Sequence, residues 1–248
     1  MPELTQKHSF GSNLEENLTP KSAIVLSLHS PAQNHEPHAR KGSLPTDMFV
    51  VTLIQRAATL PQLDELLASL NEMNPSVPFE KTYKDEIQGA FTQPSAVLDA
   101  ISKAARYNGF WIGVGVGELK IPRLAGALGA VSLAECEGDA LDYSRMASEK
   151  AQSGSPARAV VVRASNDYGA DSLTGLLRLL YRVVAARTET ENRVLDLIIP
   201  GVRGQQRAIG RALGITSQAV SKTLTRSYWH EEYAARTAML ALFEALEA

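Results

Sequence analysis

The chain has 248 residues, of which 44% are hydrophobic and 21% are charged, and its formal net charge is −2. This composition is ordinary for a globular protein, and the length allows one large domain or two small ones. A single cysteine, Cys136, excludes an internal disulfide and a metal site built from cysteines alone.

Residues 1–46 differ from the rest, because they are rich in Ser, Pro, Asn, Glu and His. Such a segment buries too little apolar surface to offset its chain entropy, so we predict a disordered extension. Three of its four histidines, His29, His35 and His38, are loosely spaced without a neighbouring cysteine, which predicts no metal site. The chain shows no secretory signal at residues 1–10 and no apolar run of about 18 residues, so we expect a cytoplasmic protein without a membrane partner. Met48 is a candidate second translation start.

From Met48 onward, β-rich segments alternate with segments of helical periodicity. Strands are predicted at 48–54, 78–83, 87–92, 110–117 and 158–163, and helices near 61–70, 94–105 and 138–150. The order β-α-β-β-α-β, then α-β, is typical of a ferredoxin-like sheet with helices on one face, as in nucleotide cyclases. We therefore predict an α+β fold, with a ferredoxin-like (nucleotide-cyclase-like) sheet domain at 47–165 followed by an all-α helix-turn-helix domain at 166–248.

Two features of the sheet domain are candidates for a ligand site. Asp85 and Glu86 lie at a hairpin tip, where they could hold a metal or nucleotide or could simply be solvated acids at a turn. Gly113, Gly115 and Gly117 leave one face of a strand without side chains, which a close ligand or a tightly packed helix would explain. The glycine spacing matches neither a Rossmann fingerprint nor a P-loop, and no Ser/His/Asp or Cys/His set is present. We therefore predict no cofactor and no catalytic residues.

The C-terminal part is predicted to be helical, with a long helix at 171–187, a shorter one at 189–199 and a terminal one at 229–246. The long helix would join the two domains or pack against a second subunit. The apolar stripe of the terminal helix would lie in the core or pair two chains as a homodimer. Both alternatives follow from the same periodicity.

Residues 205–226 are predicted to form two short helices that meet at a tight turn, the arrangement of a helix-turn-helix. Gly214 can take the positive φ that ends the first helix, and Thr216 or Ser217 can cap the second. Gly210 lies where the two helices approach and has no side chain to separate them. Apolar residues recur one turn apart on each helix: Ile209 and Leu213, then Val220 and Leu224.

The window between Asp196 and Glu231 contains five basic residues and no acidic one, so its charge is +5 and the remainder of the chain carries −7. Such a basic island in an acidic chain predicts a phosphate-binding surface. The alternative is an ordinary helical hairpin with a solvated basic face. Base contacts are predicted for Ser217, Gln218, Ser221 and Lys222. The other predicted DNA contacts, mainly to phosphates, are Gln205, Gln206, Arg207, Arg211, Thr216 and Arg226.

Several of these motifs resemble the SatD-like family and its actinobacterial relatives, in which a cyclase-like domain precedes a helix-turn-helix. The likeness extends in order over roughly 48–229 and is carried by Lys84–Gly89, Gly113–Gly117, Gly138 to Arg145, and Ser217–Ser221 with Trp229. Ile54 stands where the relatives tend to have an aspartate, and Lys84 replaces a glycine. The resemblance therefore implies a pocket that has lost a carboxylate and gained a cation, unsuited to metal catalysis but able to sense a ligand.

These observations predict a DNA-binding transcriptional regulator that is not an enzyme. Its expected partners are double-stranded DNA, a small-molecule ligand and a second copy of the chain. Two alternatives stay open: a nucleotide- or metal-dependent enzyme domain tethered to DNA, and a protein-interaction module.

Overall fold

The computed structural model describes residues 47–56, 62–122 and 131–246. The predicted extension at 1–46 lies outside the described residues, and so does Pro61, the expected start of the first helix. The described chain is a mixed α+β fold built on one five-stranded sheet, which confirms the predicted α+β class.

Each predicted strand is present, with ends shifted by at most two residues. The strands are β1 (Asp47–Gln55), β2 (Val77–Tyr83), β3 (Glu86–Phe91), β4 (Phe110–Glu118) and β5 (Val160–Arg163). Their order across the sheet is β2-β3-β1-β4-β5. The first four pair antiparallel, whereas β5 adds to β4 in parallel and forms an edge of the sheet.

The helices also lie close to the predicted segments. They are α1 (Gln62–Asn71), α2 (Pro94–Tyr107), α3 (Asp139–Gln152), α4 (Asp167–Ala185), α5 (Glu189–Leu195), α6 (Gln206–Leu213), α7 (Ser217–Arg226) and α8 (Trp229–Glu244). Helix α4 begins four residues earlier than predicted, because the Asn166 side chain accepts a hydrogen bond from the Gly169 N–H and caps it there. None of the described helices combines the length and apolar character needed to cross a bilayer.

One face of the sheet forms the main core together with α1, α2, α4 and the end of α8. Alternate strand residues such as Phe49 and Ile112 are fully buried there, beside Leu173 and Leu177 of α4. Phe243 of α8 meets Phe49 edge to face, with ring centroids 5.2 Å apart. The core therefore continues across the predicted boundary at residue 165, and the apolar stripes of α4 and α8 are largely buried within the chain.

Helix α3 covers the opposite face of the sheet, so the prediction of helices on one face only is wrong. The reason lies in the glycines of β4, which let the α3 backbone approach closely. A Cβ at Gly113 would lie 2.5 Å from the Ser148 backbone nitrogen, and one at Gly115 would overlap the Ala140 carbonyl oxygen. Of the two explanations for these glycines, the structure thus shows the tightly packed helix.

Replacing Gly115 with alanine should destabilise the fold, because the new methyl group meets helix backbone that cannot move aside. We expect Gly115→Ala to lower the free energy of unfolding by about 1–3 kcal/mol in urea titrations. Gly117→Ala is the matched control, because its Cβ would meet Ala140 N at 3.4 Å, an ordinary contact. Equal stability of the two variants would contradict the close approach of α3.

Candidate nucleic-acid interface

Helices α6 and α7 are joined by the short turn 214–216. Gly214 has a φ of 68° and ends α6 in the left-handed region, where glycine is favoured. Thr216 is extended, and its side chain accepts a hydrogen bond from the Ala219 N–H at 3.1 Å. Thr216, and not Ser217, is therefore the cap of α7.

Gly210 allows the turn to fold back onto α6. A Cβ at this position would lie 2.7 Å from the Ile215 carbonyl oxygen, and the Ile215 N–H donates to the Gly210 carbonyl at 2.8 Å. The close approach predicted at Gly210 thus involves the turn and the first residues of α7.

Helices α5, α6 and α7 share a small apolar cluster, separate from the main core. Val194, Ile209 and Val220 are buried at its centre, and Leu213 and Ile215 pack around them. Val220 is the α7 residue in this cluster, and buried Leu224 lies one turn further along the same side, so this side of α7 faces inward.

The opposite side of the α6–α7 pair is exposed and carries most of the predicted DNA contacts. The exposed residues are Arg207, Arg211, Thr216, Ser217, Gln218, Ser221, Lys222 and Arg226, and Gln206 is half-buried. Within the described chain, no ion pair involves Arg207, Arg211 or Lys222. Their positive charge is therefore available to an external anion.

Gln205 is used inside the protein. Its side-chain oxygen accepts from the Ile199 N–H at 2.9 Å, and its nitrogen donates to the carbonyls of Ile199 and Val202 at 2.8 and 3.0 Å. These bonds close the loop before α6 and engage both polar atoms of the Gln205 side chain, while its DNA contact stays a prediction. No sequence pattern indicates these bonds, because the partners are backbone atoms.

Arg226 is also engaged, although its side chain is 71% exposed. Its Nε donates to Glu191 at 2.6 Å, and the buried Glu191 carboxylate further accepts bonds from the N–H and hydroxyl of Thr188. The hydrogen bond from the Thr188 N–H lowers the pKa of Glu191. Burial raises this pKa, whereas Arg226 lowers it further. Arg226 therefore ties the end of α7 to the start of α5 and balances a buried charge, which weakens its predicted role as a phosphate ligand.

A second ion-pair system fixes α7 to the sheet body. Arg187 forms an ion pair with Glu232 at 2.6 Å, and both side chains are nearly buried. Arg187 also donates from Nε and Nη2 to the Ser227 carbonyl, at the end of α7, at 3.0 and 2.8 Å. Glu232 accepts a further bond from Arg236, which pairs with Asp99 of α2 at 2.6 Å. We call the group of Arg187, Glu232 and the Ser227 carbonyl the Arg187 clamp.

The predicted ligand residues of the sheet are separated. Glu86 lines a cleft of about 680 Å³ between the β2–β3 hairpin and α3, together with Arg145 and Glu80. We call it the Glu86 cleft, and Asp85 is not part of its lining. Gly113 and Gly115 lie under α3. Glu80 was not predicted as a ligand residue, because a register shift in β2 decides on which face of the sheet it lies. Among the described residues, no group of three His, Cys, Asp or Glu side chains is placed to hold a metal ion.

Comparison of the chain with protein-family models, curated proteins and solved structures finds no match. The resemblance to the SatD-like family accordingly stays a prediction.

Glu191→Gln should lower the free energy of unfolding by about 1–3 kcal/mol at neutral pH, because Thr188 and Arg226 lose their charged acceptor. Since the folded state lowers the pKa of Glu191 below its ordinary value of 4.5, the carboxylate stabilises the fold above that value. Its contribution is lost as the pH falls through the lowered pKa, so the difference between wild type and variant should shrink in acid.

Urea unfolding of both proteins at neutral and acidic pH measures this difference. Glu189→Gln, an exposed change on the same helix, is the control and should shift stability by less than about 0.5 kcal/mol. A Glu191→Gln deficit that stays constant into acid would contradict the assigned role of the carboxylate.

Proposed function

We propose that this chain is a DNA-binding transcriptional regulator that places α7 in the major groove. The observation that carries the proposal is the division of α7 into two sides. Val220 and Leu224 are buried, whereas Gln218, Ser221 and Lys222 are exposed on a surface with no acidic residue between 197 and 230. A helix held this way by its apolar side presents its polar side to a groove.

The exposed side chains of α7 suit direct contact with base edges. Glutamine can pair with adenine through two hydrogen bonds, and lysine can donate to the acceptors of guanine. Ser217 and Ser221 add short donors and acceptors to the same surface. Gln218 and Lys222 lie one helical turn apart, so both can reach the same stretch of groove.

Phosphate contacts are assigned to Arg207 and Arg211 of α6, with Arg203 just before that helix. All three are exposed, and the described acidic residues form no ion pair with them. Such contacts set the position of a protein on DNA without carrying sequence information. Two copies on a palindromic site would place two α7 helices in successive major grooves, which is the reason to expect a homodimer.

We assign the sheet part a role in ligand sensing or assembly, as a ferredoxin-like domain that has lost catalytic capacity. The order β2-β3-β1-β4 with antiparallel neighbours supports that topology. Buried Ile54 lies directly opposite Glu86 across the β1–β3 pair, so an apolar side chain stands where the resemblance to the SatD-like family implies a carboxylate. Lys84 adds a cation at the same hairpin, which disfavours a divalent metal.

Gln218→Ala should weaken binding to the specific site by about 1–3 kcal/mol and leave binding to random DNA nearly unchanged. The reason is that the amide contacts bases and no phosphate. Fluorescence anisotropy with both DNA types measures the two affinities, and Gln152→Ala on α3 is the control. Equal losses on both DNA types would remove Gln218 from the base-reading surface.

Arg207→Ala should weaken binding to specific and random DNA alike, because it removes a phosphate contact. The slope of log affinity against log salt should become shallower by about one unit. Lys84→Ala removes the same charge from the β2–β3 hairpin and should leave the slope unchanged. An unaltered slope in Arg207→Ala would mean that this arginine lies away from the DNA.

A further inference from the structure

A second positively charged site lies at the β5 edge of the sheet, away from α6 and α7. It is a cleft of about 520 Å³ between the end of α3 and the middle of α4. Four cations and one carboxylate line it: Lys150, Arg158, Arg163, Arg178 and Asp171. We call it the cationic cleft.

The charges of the cationic cleft do not balance. Four positive charges face one negative charge, so the cleft carries a net charge of +3. The one carboxylate, Asp171, pairs with Arg163 at 2.9 Å. Within the described chain, no ion pair involves Lys150, Arg158 or Arg178. This excess is notable in a chain whose total charge is −2, because it concentrates positive potential in one concave place.

Two of the cations are held in fixed positions. Arg178 donates from Nε to the Val160 carbonyl at 2.8 Å, and Arg163 is anchored by Asp171. Burial lowers the pKa of Arg178, and the neighbouring charges of Arg158 and Arg163 lower it further, whereas Asp171 raises it. Keeping them together costs stability, and a bound anion would remove that cost.

The shape of the cleft suits a small ligand. Its volume falls in the usual range for small-molecule sites, roughly 300–1,000 Å³. Gly154 and Gly175 form part of the wall, and a Cβ at Gly175 would meet no atom within 4 Å, so the space above α4 is open. Oriented guanidinium groups in a concave site match the oxygens of phosphate groups through paired hydrogen bonds.

We propose that the cationic cleft binds a small molecule carrying several phosphate groups, such as a nucleoside triphosphate. Arg163 and Arg178 orient the phosphates, while the exposed Lys150 and Arg158 close over them and neutralise the remaining charge. No residue of α6 or α7 takes part, so the inference holds whether or not the chain reads DNA. It also differs from the Glu86 cleft, which lies on the other side of α3.

The test is isothermal titration calorimetry of the full chain with inorganic tripolyphosphate and with adenosine as a phosphate-free probe. The variant is Lys150→Gln/Arg158→Gln, because both side chains are exposed and form no side-chain hydrogen bond or ion pair with the described residues. Circular dichroism and thermal unfolding confirm that the variant folds. Arg145→Gln is the matched control, since it removes a charge from the same helix but lines the Glu86 cleft.

Tripolyphosphate should bind the wild type and Arg145→Gln equally, and adenosine should give no heat. The double variant should bind tripolyphosphate at least about tenfold more weakly, because two charge-assisted contacts are lost. Absence of wild-type binding, or equal affinity in the double variant, would overturn the proposal. A loss of tripolyphosphate affinity confined to Arg145→Gln would overturn the proposal and indicate that the ligand binds in the Glu86 cleft. Unchanged tripolyphosphate binding with a weakened affinity for DNA would instead make these cations contacts to a DNA backbone.

Discussion

The Arg187 clamp is the interaction on which the orientation of the candidate reading helix depends. Arg187 and Glu232 are both nearly buried, so each charge requires the other, and losing either partner typically costs about 3–5 kcal/mol. The same guanidinium binds the Ser227 carbonyl at the end of α7, where a cation also complements the helix dipole. Through Glu232 and Arg236 the bonds reach Asp99 of α2, so α7 is attached to the sheet body by directional contacts.

The apolar cluster shared by α5, α6 and α7 and the Arg187 clamp together leave one side of the α6–α7 pair exposed and basic. The buried Val220 fixes the rotation of α7, while the Glu191–Arg226 pair fixes where α7 meets α5. These two contacts determine which cations pair with carboxylates of the protein and which remain exposed without such a pair. Arg226 and Arg187 balance carboxylates of the protein itself, whereas Arg207 and Lys222 keep their charge for an external partner, which is what a DNA-reading surface requires.

Local sequence patterns predicted the elements well, because each depends on near neighbours. β-rich apolar segments indicated the strands, and Gly214 and Thr216 indicated the turn through backbone conformation and capping. The pattern left the β4 glycines ambiguous, since a ligand and a packed helix both need an empty face. Contacts between distant positions were not predicted: these are the pair of Glu191 with Arg226 and the cationic cleft, whose residues come from α3, β5, α4 and the segment between α3 and β5.

The most direct test of the central claim is retention of fragmented genomic DNA by the purified protein across a salt series, followed by sequencing. We expect a small set of related fragments to be retained at moderate salt. A Gln218→Ala/Lys222→Ala variant should lose this selection but still bind DNA at low salt through its arginines. Absence of any retention at low salt would contradict DNA binding, and unselective retention would contradict sequence reading by α7.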